Sequence, residues 1–166
     1  MDKKKKVGII AFLISFIICF TTVVVIGYYF IYEDHKIEDR VEKLEREKHN
    51  ENDIVVRTDK VNIYLFWGNG CGHCSNLKTF FASIEDEYGK YYNLYAFEVW
   101  SDGGNKKLMD NMAYVMGDGQ LKGVPYLVIG EKSFKGYSQS MDKNIINAIM
   151  SAYNSDERFD AYELIK

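Results

Sequence analysis

The pattern of apolar and polar positions divides this chain into three stretches. Residues 7–32 carry no charge, and Phe12, Phe16, Phe20 and the run Val23–Ile26 make the stretch apolar on every side. At about 1.5 Å rise per residue, such a helix crosses a hydrocarbon core of about 30 Å with some tilt. Tyr28, Tyr29 and Tyr32 cluster at its far end, where an aromatic belt lies at a membrane surface. The pattern then reverses. Glu33–Glu51 is dense in both charges and contains neither Gly nor Pro. Asp39 with Lys43, and Glu42 with Arg46, are acid-before-base pairs at i, i+4 that support a helix. Ile37, Val41 and Leu44 form only a thin apolar stripe, so residues 33–52 are expected to form a charged helical stalk. Two heptads fall short of the three or four that a coiled-coil dimer requires.

Beyond the stalk, residues 53–166 make one domain large enough to bury a core. Ile54–Arg57 reads as a short first strand. Val61–Trp67 is β-branched and aromatic, and its nearly continuous apolarity predicts a strand covered on both faces. Leu77, Phe80, Phe81, Ile84 and Tyr88 recur at helical spacing, which predicts a helix over 75–88. Asn93–Trp100 is the next strand. A turn at Ser101–Gly104 leads to a helix on which Leu108, Met112 and Val115 share a face. Tyr126–Ile129 and Ser133–Tyr137 predict a hairpin turning at Gly130–Lys132, and Ile145, Ile146, Ile149 and Tyr153 mark a last helix. The tail 156–166 is expected to add a turn or two of helix. The order strand, helix, strand, helix, strand, strand, helix predicts an α/β domain with βαβ units first and a hairpin later.

Charge places the domain. Lys3–Lys6 abut the apolar run, which favours a cytoplasmic N-terminus over residues 1–6. Lys36, Arg40, Lys43 and Arg46 beyond the run nearly balance the count, but they are interleaved with acids such as Glu38, Asp39 and Glu42. The expectation is therefore a single-pass cell-membrane protein, embedded in the bilayer through residues 7–32, with its C-terminal domain extracytoplasmic. A cleaved signal peptide is the competing reading. Its apolar region normally spans about 7–15 residues and ends at a small-x-small site; this run is longer, and Ala11 is its only alanine. Cys19 is no better as a lipid-attachment site, because Ile17 and Ile18 precede it. A net charge of −3 with no basic face argues against nucleic acid.

The chemistry is concentrated in Cys71-Gly72-His73-Cys74, where the strand ending at Trp67 gives way to the helix. Two thiols separated by two residues at a helix start come within bridging distance. The helix N-terminus favours the thiolate of the first. His73 between them supports that thiolate by charge or hydrogen bonding. A more stable thiolate leaves faster and makes the disulfide more oxidising. His35 and His49 lie in the stalk, where they are expected at the surface. A structural zinc site needs four ligands, and outside this motif residues 53–166 contain no other Cys or His. No metal or organic cofactor is called for. The sole proline, Pro125, opens a strand, the position that tolerates a residue without an N–H.

The element order, the Cys71-Gly72-His73-Cys74 motif after Phe66-Trp67, and Val124-Pro125 before a later strand together resemble the thioredoxin superfamily. The motif is similar to that of protein disulfide isomerases, and the whole is similar to bacterial membrane-anchored thioredoxin-like proteins. The resemblance covers about 53–153 and implies a central mixed sheet flanked by helices. It implies that Cys71 is the exposed attacking thiol and Cys74 the buried resolving one. It also implies that Pro125 is a cis-proline facing the motif, with the backbone of Val124 pairing with a substrate strand.

Two positions depart from that pattern. Gly70 stands where these families commonly have Trp before the first Cys, and Leu65 stands where many carry a buried acid that assists proton transfer. Glu98 in the neighbouring strand is a possible proton relay in its place, or else a residue on a solvent-facing side. The function expected is thiol–disulfide oxidoreduction on exported protein or peptide substrates, together with a membrane redox partner. Its direction as oxidase, isomerase or reductase stays open. The alternative is a non-catalytic thioredoxin-fold module that binds a peptide or partner, or an accessory factor for one exported peptide.

Overall fold

The computed structural model describes residues 3–57 and 59–166, which divide into two units at Asp39/Arg40. The described residues of the first unit are all helical, as part of α1 (Lys3–Arg46). Phe12, Phe16, Phe20, Val23 and Ile26 are all exposed on it, as the all-round apolar pattern requires. Thr21 and Thr22 turn their hydroxyls back onto the carbonyls of Ile18 and Cys19, at 2.9 and 2.8 Å, so both hydroxyls have a partner within the helix. Among the described residues α1 is the one helix long and apolar enough to cross a membrane, with a mean hydropathy of 2.3 over its most apolar stretch. A membrane span and a signal sequence both have that character.

The second unit is an α/β domain on a four-stranded mixed sheet in the order β2-β1-β3-β4. The strands are β1 (Val61–Trp67), β2 (Tyr92–Glu98), β3 (Tyr126–Ile129) and β4 (Lys132–Lys135). β1 pairs parallel with β2 and antiparallel with β3, and β3 pairs antiparallel with β4. The helices are α2 (Gly72–Tyr88), α3 (Gly103–Val115) and α4 (Asp142–Tyr153). All seven β1 residues are buried, because side chains that alternate along a central strand meet a helical layer on each face. Ile63, Leu65 and Trp67 join Leu77 and Phe81 of α2 and Ile145 and Ile149 of α4 in one cluster. Tyr64 and Phe66 join Leu108 and Met112 of α3 in the other.

Three expectations need correction. Residues 54–57 form no strand. Their backbone is held by side chains instead: Val55 N–H donates to the Tyr95 hydroxyl at 3.1 Å, and Asn62 Nδ2 donates to the Val55 carbonyl at 3.1 Å. The stalk is shorter than residues 33–52, since residues from Arg40 onward belong to the folded unit. Arg40 pairs with Asp86 of α2, and Leu44 packs against the core. His49 is not a surface residue. Half-buried against the Tyr95 ring at 5.5 Å, it pairs with Ala96 through both its N–H and Nδ1, closing part of the outer edge of β2. The tail contributes a single 3-10 turn at Ala161–Leu164. Just before it, Asp160 accepts from Tyr64 Oη at 2.6 Å and Asn62 Nδ2 at 2.9 Å, fastening the C-terminus to β1.

Candidate active site at the start of α2

β1 ends at Trp67, and the four residues 68–71 lead into α2. In that loop Gly70 has φ +81°, a conformation that L side chains rarely adopt. A bulky residue before the first Cys is thus replaced by the residue this backbone demands. Cys71 caps α2: its sulfur accepts from the Cys74 N–H at 3.2 Å. The two cysteines are bridged, with Cα atoms 5.2 Å apart. Cys71 is half-buried and Cys74 is 1 % exposed, so one sulfur faces outward and the other lies in the core. His73 is exposed in the first turn of α2 and borders a groove with Phe80, Tyr137 and Asp142.

The Val124-Pro125 peptide is cis, with Pro125 buried and Val124 half-buried. The Val124 carbonyl oxygen lies 3.8 Å from Cys71 Sγ, so the start of β3 and the first cysteine face each other. Cys71, Cys74, His73, Val124 and Pro125 therefore gather at one end of the sheet. The site sits beyond the carboxyl end of β1, where α2 presents its N-terminal amides.

Glu98 lies at the same end, but its carboxylate is committed elsewhere. It is 2 % exposed and accepts from the backbone N–H groups of Asn69 (3.3 Å), Trp100 (3.0 Å) and Ser101 (2.9 Å), and from the Ser101 hydroxyl. Burial alone would raise its pKa, but the hydrogen bonds from Ser101, Trp100 and Asn69 outweigh it and hold the carboxyl below its ordinary value. This arrangement ties the loop before Cys71 to the segment after β2.

Two residues that pattern reading passed over also border the site. Trp100 lays its ring directly over Gly68, where an added Cβ would lie 2.2 Å from the ring, and it stays 61 % exposed. An aromatic surface beside the motif is thus supplied from after β2 rather than from the position before Cys71. Lys78, one helical turn beyond Cys74, is 1 % exposed, with Nζ 3.1 Å from the centroid of the Trp67 ring. Its place on the same helical face as Cys74 was the available signal. It is obscured in sequence because lysines on helices usually face water.

No protein family matches the chain, and no curated protein matches it. Among solved structures, an uncharacterised thioredoxin-like protein from Clostridium perfringens is 20 % identical over 66 % of this chain and 82 % of its own, with a TM-score of 0.44. Thioredoxin O2 from Arabidopsis thaliana in its oxidised state is 14 % identical over 58 % of this chain and 77 % of its own, at 0.38. A complex of ferredoxin:thioredoxin reductase with thioredoxin f2 gives 18 % identity over 57 % and 78 %, at 0.37. The thioredoxin-like character of the fold rests on this chain's own topology. A parallel β1-α2-β2 unit and an antiparallel β3-β4 hairpin share one sheet, with a bridged Cys-x-x-Cys at the start of α2. A vicinal dithiol that closes and opens at a helix N-terminus is suited to thiol–disulfide redox chemistry.

Proposed function

We propose that this chain is a membrane-anchored, extracytoplasmic thiol–disulfide oxidoreductase acting on exported proteins or peptides. The observation that carries the reading is the bridged pair itself, with Cys71 outward at a helix N-terminus and Cys74 buried one turn in. In the reducing direction the Cys71 thiolate attacks a substrate disulfide. A mixed disulfide forms and one substrate thiolate leaves. Cys74 then attacks Cys71 Sγ, releasing the second substrate thiolate and closing the intramolecular bridge. In the oxidising direction the same steps run backwards, and the poise against the partner sets which prevails.

His73 supports the Cys71 thiolate from the first turn of α2. Val124 offers its backbone beside Cys71 to an extended substrate segment, in the manner of an added strand. Pro125 has no N–H to give and sets that backbone's course. Glu98 serves here as the clamp on the loop before Cys71 rather than as the proton relay.

The basic residues 3–6 stay inside, residues 7–32 span the bilayer, and the folded domain lies outside, within reach of exported substrates. The apolar α1 supports this arrangement. An impermeant thiol reagent applied to intact cells after mild reduction should label the wild-type chain at Cys71, and Cys71→Ser should lose that label. External protease should remove a tag placed after Lys166 while the chain stays in the membrane fraction. A protected tag would place the domain in the cytoplasm. A shortened, released protein would make the apolar run a signal peptide.

A further inference from the structure

Resolution of a mixed disulfide requires the buried Cys74 thiol to lose its proton. A thiol in apolar surroundings holds that proton more tightly than a free one. The site needs a base within reach of Cys74, and neither position the sequence pointed to supplies it. Position 65 is leucine, and Glu98 is saturated by the amides of Asn69, Trp100 and Ser101 and by the Ser101 hydroxyl.

Beside the bridge lies a cavity of about 490 Å³ lined by Trp67, Gly68, Cys71, Cys74, Lys78 and Glu45, among others. Apart from the cysteines, its ionisable lining groups are Glu45, which is exposed, and Lys78, which is buried. Helical side chains lean toward the N-terminus of their helix and cover the preceding turn, so Lys78 leans over the turn that carries Cys74. Its ammonium rests against the face of Trp67 at 3.1 Å and closes no ion pair among the described residues. A lysine with its charged end in the core is costly unless that end is stabilised or does chemistry.

From this geometry we propose that Lys78 is the catalytic base and acid for Cys74, an assignment that rests on the exchange reading of the site. Its neutral amine takes the proton from Cys74 Sγ–H. The resulting thiolate attacks Cys71 Sγ, the Cys71–Cys74 bond forms and the Cys71–substrate bond breaks. The substrate sulfur leaves with the electron pair and is protonated from water. The substrate disulfide has then gained two electrons and the dithiol has lost two. In the opposite direction the ammonium returns the proton to Cys74 as it leaves.

Titration agrees with the geometry. Burial pushes the Lys78 amine down to about 8, while Glu45 near the end of α1 and Glu98 on β2 pull it upward and Lys48 pulls it down. A proton carrier is most effective when its pKa lies near the working pH.

The test uses the full-length chain in detergent with Cys19→Ala, reduced and mixed with the aromatic disulfide 5,5′-dithiobis(2-nitrobenzoate). The first thionitrobenzoate released reports attack by Cys71, and the second reports resolution by Cys74. In Lys78→Met the second release should slow by about a hundredfold relative to the first near neutral pH, a usual share for general base catalysis. It should recover at alkaline pH as Cys74 ionises unaided. Lys78→Arg keeps the positive charge and the stem on Trp67 but cannot accept a proton, so it should be slow as well. It also carries the test if methionine disturbs the fold. Full speed in Lys78→Arg would reduce the lysine to a fixed charge and overturn the proposal. Unchanged rates and pH profile in Lys78→Met would overturn it too. If the wild-type chain shows no first release, it is the exchange reading that fails.

Discussion

A Cys74→Ser chain accumulates mixed disulfides with its substrates through Cys71, whereas Cys71→Ser forms none and turns over no disulfide substrate. The expectation follows from the placement of the two sulfurs. Cys71 is reachable at the cap of α2, and Cys74 is 1 % exposed, so a substrate sulfur meets the first and not the second. Once Cys71 is joined to substrate, release depends on attack from one turn along the same helix. Serine at position 74 fills that place without a thiolate, so the intermediate persists until an outside thiol reaches it. Non-reducing electrophoresis of trapped membranes, followed by mass spectrometry of the adducts, reads the outcome. Many adducts indicate a general catalyst, and one dominant adduct indicates a factor dedicated to a single exported peptide. No adducts in Cys74→Ser, or equal adducts in Cys71→Ser, would contradict the assignment of the attacking sulfur.

Glu98→Gln lowers the stability of the folded domain by about 2 kcal/mol at neutral pH, from the loss of charge-assisted hydrogen bonds. One carboxylate oxygen accepts from Asn69 and Trp100 and the other from Ser101. An amide has a single acceptor, so its NH₂ must face donors on one of the two sides. The effect depends on pH in a defined direction. The folded carboxyl titrates below its ordinary value of 4.5, so the unfolded chain takes up its proton first as pH falls. The contribution is therefore complete above about 4.5 and disappears as pH drops through the lower folded value. Urea unfolding of wild type and Glu98→Gln, followed by tryptophan fluorescence, should show a gap at pH 7 that narrows in acid. A constant gap would mean that Glu98 acts through packing rather than through its charge.

What the sequence revealed and what it hid follow from the range of the interactions involved. β1 was legible because a run of seven residues in which Asn62 is the one break in apolarity leaves no solvent face, and α2 because its apolar stripe from Leu77 to Tyr88 repeats at helical spacing over about three turns. The motif, its histidine and the proline were legible because the chemistry needs particular residue types at short separations. Residues 54–57 looked like a strand because Ile54, Val55 and Val56 favour extended backbone. The Val55 backbone instead bonds to the side chains of Asn62 and of Tyr95, the latter far along the chain, and no local pattern discloses either partner. His49 was assigned to a solvated helix for the same reason, since its partner Ala96 lies two elements away. Lys78 was the hardest to see. Composition says that a lysine on a helix faces water, and only the assembled core shows its ammonium against Trp67.

Equilibrium of the full-length Cys19→Ala chain with glutathione buffers of graded poise tests the central claim most directly, with the Cys71–Cys74 state read by thiol trapping. A single reversible two-electron transition between disulfide and dithiol is predicted, with about 30 mV separating each tenfold step in the ratio. His73→Pro should move that transition by about 30 mV or more toward negative potentials, because the Cys71 thiolate loses its support. A shift under about 10 mV would make His73 a bystander. A pair locked in one form across the whole range, or two cysteines that titrate independently of each other, would contradict thiol–disulfide exchange as the activity of this protein.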